Sequence, residues 1–204
     1  MGKIGDERTI VEAYSKLMLS DTQVAQHIGT TVGRVRWVLR KNHVPKRSIS
    51  EAITRLHITK FGKKPFALKK KLNRKERLLK VAAIMLYWGE GNKKGSTVAL
   101  SNSDPLMVEV FLKFLRLICG VDQTRVRVGL HYYQDQNMDT LLSFWSRVTR
   151  LPIQQFDRPF MHVRKSGSYK TRSIYGTVAI RYSDKKLLET IIKWIKEYQV
   201  FLCT

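Results

Sequence analysis

The sequence predicts an α+β protein in two parts: a small N-terminal unit of three helices, and a larger domain in which helices pack on one face of an antiparallel sheet. Two observations carry this. Up to residue 42, apolar residues recur at helical spacing in three short runs. After residue 95, four short strand-like segments are interleaved with amphipathic ones. The 204 residues are enough for one ordinary domain and a small one, and a hydrophobic content of 43% is that of a globular chain.

The first run spans Asp6 to Leu19, with Ile10, Tyr14, Leu17 and Met18 on one face. Ser20 followed three residues later by Gln23 is a capping box, so a second helix starts there, with Val24, Ala25 and Ile28 apolar. Gly29 stops it and Thr30 is placed to cap the next. The third helix, about Thr31 to Asn42, buries Val32, Val35, Val38 and Leu39. It turns Thr31, Gly33, Arg34, Trp37, Arg40 and Lys41 outward. Two short helices joined at a glycine, the second basic on its outer face, make a helix-turn-helix suited to the major groove of double-stranded DNA. Thr31, Arg34 and Trp37 lie about one turn apart, where they meet base edges, while Arg36, Arg40 and Lys41 are phosphate contacts. The basic run Val44 to Ser48 continues as an arm, with Lys46 and Arg47 entering the adjacent minor groove. The segment resembles the helix-turn-helix of resolvases and sigma-like factors, through Val24-Ala25, Gly29, Val35 and Leu39.

Charge points to the same partner. The chain holds 38 Lys and Arg against 16 Asp and Glu, a net charge of +22, and residues 1–80 carry 20 of those cations with 6 acids. Such a surface repels itself unless it meets a polyanion. A membrane is the weaker candidate: the longest apolar run, Val81 to Trp88, has 8 residues, far short of the ~18 a spanning helix needs. No signal-peptide core, myristoylation signal or prenylation box is present. The two cysteines, Cys119 and Cys203, stand far apart, which disfavours a disulfide framework and fits a reducing cytoplasm; Cys119 reads as a small core hydrophobe. The expected boundaries are a helix-turn-helix domain at 1–47, a basic linker at 48–73 with a short helix near Ser50–His57, and a second domain at 74–204.

In that domain Asn73 to Glu76 starts a helix whose continuation, Leu78 to Trp88, is apolar nearly all round and therefore expected to be buried on most sides. It ends in Glu90 between Gly89 and Gly91, an acid at the end of a helix where the dipole disfavours one and a compensating cation is expected. Thr97–Ser101 reads as a strand, Asn102 to Pro105 as a helix start, Leu106–Ile118 as a helix, Arg125–Tyr133 as a strand and Leu141–Val148 as a helix. Pro159–Lys165 and Tyr175–Tyr182 are expected to pair as strands across the loop Ser166–Ser173, before a closing helix Asp184–Tyr198. The free face of the sheet is expected to carry Arg125, Arg127, Arg164 and Arg181. His131 and His162 lie on separate strands, placed to face one another, and read as hydrogen-bonded surface residues.

The segment Ala83 to Gly91, with Asn102-Ser103-Asp104 after it, resembles the motif of single-motif LAGLIDADG homing endonucleases over roughly residues 74–200. The resemblance implies an antiparallel saddle sheet lying along the major groove, and a homodimer in which two motif helices pack through small residues. Met85 stands where the family prefers Gly, so that packing would rest on Ala82, Ala83 and Gly89. Glu90 would be the catalytic, metal-binding acid, with Mg as cofactor. Lys165, Arg181 and Lys170 would assist at the phosphate, Lys170 also by holding DNA. The implied function is metal-dependent cleavage of a specific double-stranded site. A helix-turn-helix regulator that binds without cutting, and an intron RNA maturase, are the alternatives.

Overall fold

The computed structural model describes residues 6–48, 51, 54–55, 58, 62, 64–163 and 173–203. The chain divides into two compact units, residues 1–60 and 61–204. Of the expected helix near Ser50–His57, Glu51, Thr54 and Arg55 are described and are helical; the loop Ser166–Ser173 except its last residue, and Arg164, Lys165 and Lys170, lie outside the described residues.

In the first unit α1 (Glu7–Ser15), α2 (Asp21–Ile28) and α3 (Val32–Lys41) close on a core of Ile10, Ala13, Tyr14, Val24, Ala25, Val35, Val38 and Leu39. The capping box forms as spelled: Ser20 accepts from the Gln23 backbone, and the Gln23 side chain accepts from that of Ser20. Gly29 ends α2 at φ 73°, where a side chain would be strained. The cap of α3 is Thr31 rather than Thr30; its hydroxyl accepts from the Arg34 backbone at 3.2 Å. α1 stops four residues before the expected Leu19. Met18 turns left-handed at φ 62°, and Leu17 and Met18 end up exposed instead of on the buried face.

The second unit is α+β. Its elements are α4 (Arg74–Glu90), β1 (Thr97–Asn102), α5 (Pro105–Leu117), β2 (Arg127–Tyr133), α6 (Met138–Thr149), β3 (Phe160–His162), β4 (Thr177–Ser183) and α7 (Lys185–Cys203). Asn73 and Glu76 cap α4 reciprocally, and Asp104 with Pro105 starts α5 as the sequence spells it. The sheet order is β1-β4-β2-β3. β4 is antiparallel to both β1 and β2, but β3 runs parallel to β2, so the sheet is mixed and not the expected antiparallel saddle. The expected hairpin between β3 and β4 does not form. The reason lies in their faces. β4 buries Val178, Ile180 and Tyr182 and needs a paired strand on both sides. β3 leaves Phe160 and Met161 exposed, so it tolerates only an edge. The long return through α6 brings it back parallel to β2.

Val98, Leu100, Val128, Leu130, Val178, Ile180 and Tyr182 form the inner face of the sheet and join one core with Ala83, Ile84, Tyr87, Phe111, Phe114, Trp145, Leu187 and Ile191 of the helices. Cys119 belongs to that core, and burial pushes its thiol pKa up. The second half of the expected linker is part of this unit. Pro65 is buried; its carbonyl accepts from the Asp122 backbone at 2.9 Å and from the Tyr182 hydroxyl. Ala67 donates to the carbonyls of Cys119 and Gly120, both at 3.1 Å. Gly120, at φ 55°, admits this strap: a Cβ there would stand 2.3 Å from the Ala67 oxygen. A basic composition hid a backbone that pairs.

α4 also departs from expectation. It buries Ala83, Ile84 and Tyr87, yet Leu78 is 63% and Trp88 38% exposed, with Val81 and Ala82 open beside them. Ala83, expected at a helix–helix contact, is spent in the unit's own core. Among the described residues, no helix is long and apolar enough to cross a membrane.

Candidate nucleic-acid interface

Three surfaces hold the residues singled out from the sequence. The first is the outer side of α3. Burial of Val35, Val38 and Leu39 leaves Thr31, Gly33, Trp37 and Arg40 exposed. Trp37 is 49% exposed with the Lys41 ammonium 5.1 Å from its ring centre. Arg34 is half-buried, and its Nε is enclosed without a hydrogen-bond partner. Arg36 and Lys41 are tied to acids of neighbouring helices, Arg36 Nε to Asp21 at 3.0 Å and Lys41 Nζ to Glu7 at 2.8 Å. The hydrogen bond from Lys41 holds the Glu7 carboxyl below its usual range. These pairs face solvent and are individually weak, so a phosphate can replace the acid at little cost. The Arg40 side chain is exposed and has no ion-pair or hydrogen-bond partner among the described residues.

The arm does not hang free. Arg47 donates to the carbonyls of Met18 and Tyr14 at 2.8 Å and of Leu19 at 2.7 Å. Its guanidinium also stacks 3.9 Å from the centre of the Tyr14 ring. It therefore caps the end of α1, where the chain leaves carbonyls unpaired. Lys46 remains exposed. Of the two cations expected in a minor groove, only Lys46 is presented.

The second surface is the open face of the sheet. Cross-strand register puts Arg127, Arg181 and Ala99 in one row, Gly129, Ala179 and Ser101 in the next, and His131 beside Thr177 in a third. Arg127 is exposed, its Nη1 donating to the Thr124 and Val126 carbonyls at 2.9 and 3.0 Å. The guanidinium of Arg181 lies over Gly129, where a Cβ would meet its Nη2 at 2.9 Å, and is ion-paired to Asp157. Arg125 is not on this face. It sits in a 3-10 turn, Gln123–Arg125, and donates to the Tyr182 hydroxyl at 3.3 Å and the Ser183 carbonyl at 2.7 Å. It ties the turn to the end of β4, and burial pushes the Tyr182 phenol up to about 12.

At the β2–β3 end of this face four rings gather. His131 pairs with Phe160 and Tyr133 with His162 in register. His131 Nδ1 is 3.1 Å from His162 Nε2, so the two histidines do face one another. Phe160 is 57% exposed, its ring centre 4.8 Å from that of His162 and 5.6 Å from that of His131. Burial, then the neighbouring His162 and Arg181, lower the His131 pKa. The sequence reading named the histidines but missed Phe160 and Tyr133. The signal was there in parity: residues 131 and 133, like 160 and 162, point to one side of a strand.

The third surface is the end of α4. Tyr87 is fully buried, stacked on Phe111 at 5.6 Å, and its pKa is pushed up to about 12 by burial. Its hydroxyl donates to the Asn92 carbonyl at 2.5 Å, and the Asn92 backbone donates to Ala99 at 2.9 Å. Gly91 packs so closely that a Cβ would stand 2.4 Å from the Tyr87 ring, whereas a Cβ at Gly89 would meet nothing within 4 Å. The two glycines flanking Glu90 thus do different work. One locks the turn to β1 and the other lies on the open side. Glu90 is exposed, and its carboxylate makes no hydrogen bond or ion pair to another described residue. Lys93, whose Nζ reaches the Gly89 carbonyl at 3.5 Å, is the cation at this helix end. Among the described residues, no three His, Cys, Asp or Glu side chains converge as metal ligands.

The fold so defined is α+β, with seven α-helices and a four-stranded mixed sheet among the described residues. No family model, no curated protein and no solved structure matches the chain.

Proposed function

We propose that the protein binds specific double-stranded DNA as a homodimer, with the helix-turn-helix formed by α2 and α3 reading the site, and that it hydrolyses a phosphodiester at Glu90. The supporting observation is the division of α3: three buried aliphatic residues fix it, and Thr31, Gly33, Arg34, Trp37 and Arg40 turn a polar and cationic face outward. A helix so divided fits the major groove, and Gly33 lets its backbone approach. The second unit carries cations of its own on the open sheet face, Arg127 and Arg181.

The homodimer reading rests on α4. Leu78, Val81, Ala82 and Gly89 fall on one exposed stripe of the helix, with Met85 half-buried against the core between them, and the small residues lie where a second helix would approach. The cleavage reading rests on Glu90, whose carboxylate is exposed and has no partner among the described residues, presented by a turn locked to β1. One exposed carboxylate does not hold Mg by itself. It fits a site completed by water, phosphate oxygens and the Glu90 of a second copy. A divalent ion held there would neutralise phosphate charge and activate water. The chain's own contribution is to fix the backbone that carries Glu90 through Tyr87, Gly91 and Asn92, and Arg181 of the sheet is the cation that would assist at the phosphate.

A second reading, a regulator that binds and does not cut, is favoured by the sheet, whose parallel β2–β3 pair departs from the saddle the cleavage reading leans on. One experiment separates the two: pooled genomic duplex DNA is incubated with the wild type and with Glu90→Gln, in Mg and in Ca. Cutting in Mg that vanishes in the variant while binding persists establishes the nuclease. Salt-sensitive, selective binding without cutting leaves the regulator. Absence of any duplex binding removes both.

A further inference from the structure

We propose that the ring cluster of His131, Tyr133, Phe160 and His162 is a stacking site for an unpaired nucleobase, a role separate from the reading of duplex by α3, though it rests on the same nucleic-acid-binding assignment. Phe160 stands out first. It has no hydrogen-bonding group, is 57% exposed, and sits on a three-residue edge strand that gives it no core to fill. A phenyl ring on an open sheet face gains from a flat apolar partner. Its neighbours hold it in place: His162 lies 4.8 Å away edge-on at 69°, and the 3.1 Å contact between His131 and His162 fixes both imidazoles. Tyr133 closes the group at 5.7 Å from His162.

The charge beside the rings selects the ligand. Arg181, whose guanidinium is ion-paired to Asp157, crosses the same face over Gly129, next to His131, and the exposed Arg127 shares its row. A flat group carrying an anion fits rings flanked by guanidinium groups, and in a chain of net charge +22 that is a nucleotide. A base paired inside a duplex offers no face to Phe160; an unpaired or flipped-out base offers one. Deoxy and ribo strands share this chemistry.

The test uses the full chain and fluorescent oligothymidylate, oligouridylate and blunt duplex, measured by anisotropy for the wild type, Phe160→Ala, Phe160→Trp and Arg40→Ala. Stacking predicts that Phe160→Ala weakens single-strand binding roughly tenfold or more, with duplex binding unchanged. Phe160→Trp retains affinity, and its indole fluorescence is quenched by the bound strand. A preference between the thymidylate and uridylate arms then says which kind of strand is held. Equal weakening on duplex and single strand, or single-strand binding indifferent to Phe160, overturns the stacking site. Duplex binding that is lost in Arg40→Ala, together with no single-strand affinity in the wild type, overturns it while leaving the duplex reading intact. No affinity for any of the three overturns the assignment beneath both.

Discussion

α3 and α4 are built alike on the inside and oppositely on the outside. Each buries three residues in one stripe, Val35, Val38 and Leu39 in one and Ala83, Ile84 and Tyr87 in the other. Away from the core α3 shows Arg40, Trp37 and Thr31, whereas α4 shows Leu78, Val81, Ala82 and Trp88. Burial therefore decides only that both helices dock; what each docks against next is written on the other side. A cationic face loses counterions to a polyanion, and an apolar one loses water to another apolar surface.

The sharpest way to break this contrast is to charge the open side of α4. Leu78→Asp combined with Val81→Asp should raise the dissociation constant of the proposed dimer by a hundredfold or more, on the order of 3 kcal/mol, in sedimentation equilibrium. Trp37→Ala should leave assembly untouched. A wild type that is monomeric at every concentration would remove the apolar half of the comparison. Next in size are the two glycines that flank Glu90. Gly91→Ala must displace the Tyr87 ring and should cost about 2–3 kcal/mol in chemical denaturation. Gly89→Ala has open space and should be neutral or gain up to about 1 kcal/mol of helix stability. If the two behave alike, the turn is not locked as described.

Within the first unit, Arg47→Ala should cost roughly 2 kcal/mol, because three carbonyls lose a charged donor. Lys46→Ala should leave the melting temperature nearly unchanged and lower only the salt dependence of the proposed DNA binding, by about one unit of slope. The smallest effect concerns pH. The His131 pKa is lowered below 6.5 in the folded chain, so the unfolded chain takes up a proton first as pH falls. Stability of the second unit should then decline shallowly from about pH 7 downward, and His131→Gln should flatten that decline in urea midpoints measured across pH.

Much of the local structure was legible in the residues. The capping boxes at Ser20–Gln23 and Asn73–Glu76, the glycine stop at Gly29 and the Asp104-Pro105 start all lie where the sequence spells them, because each is a hydrogen bond or a dihedral preference between residues a few positions apart. The contacts of Arg47 within the fold were hidden for the opposite reason. A cation in a basic run looks solvent-bound until the chain folds and sets it beside the carbonyls of α1, about thirty positions away. The strap at Pro65–Lys69 escaped in the same way, since a backbone that pairs with Ile118–Gly120 leaves no mark on its own side chains.

By itself, then, the sequence determined the presence and order of the helices and several of their starts, the polar and apolar sides of α3, the strand alternation and the excess of positive charge, all of them short-range or summed properties. Only the tertiary structure decided that β3 lies parallel to β2, that Phe160 and Tyr133 join His131 and His162, and that α4 keeps one apolar side open. Those outcomes depend on which strand wins the interior of the sheet, a competition for buried area among segments far apart in the chain, which no single segment's pattern encodes.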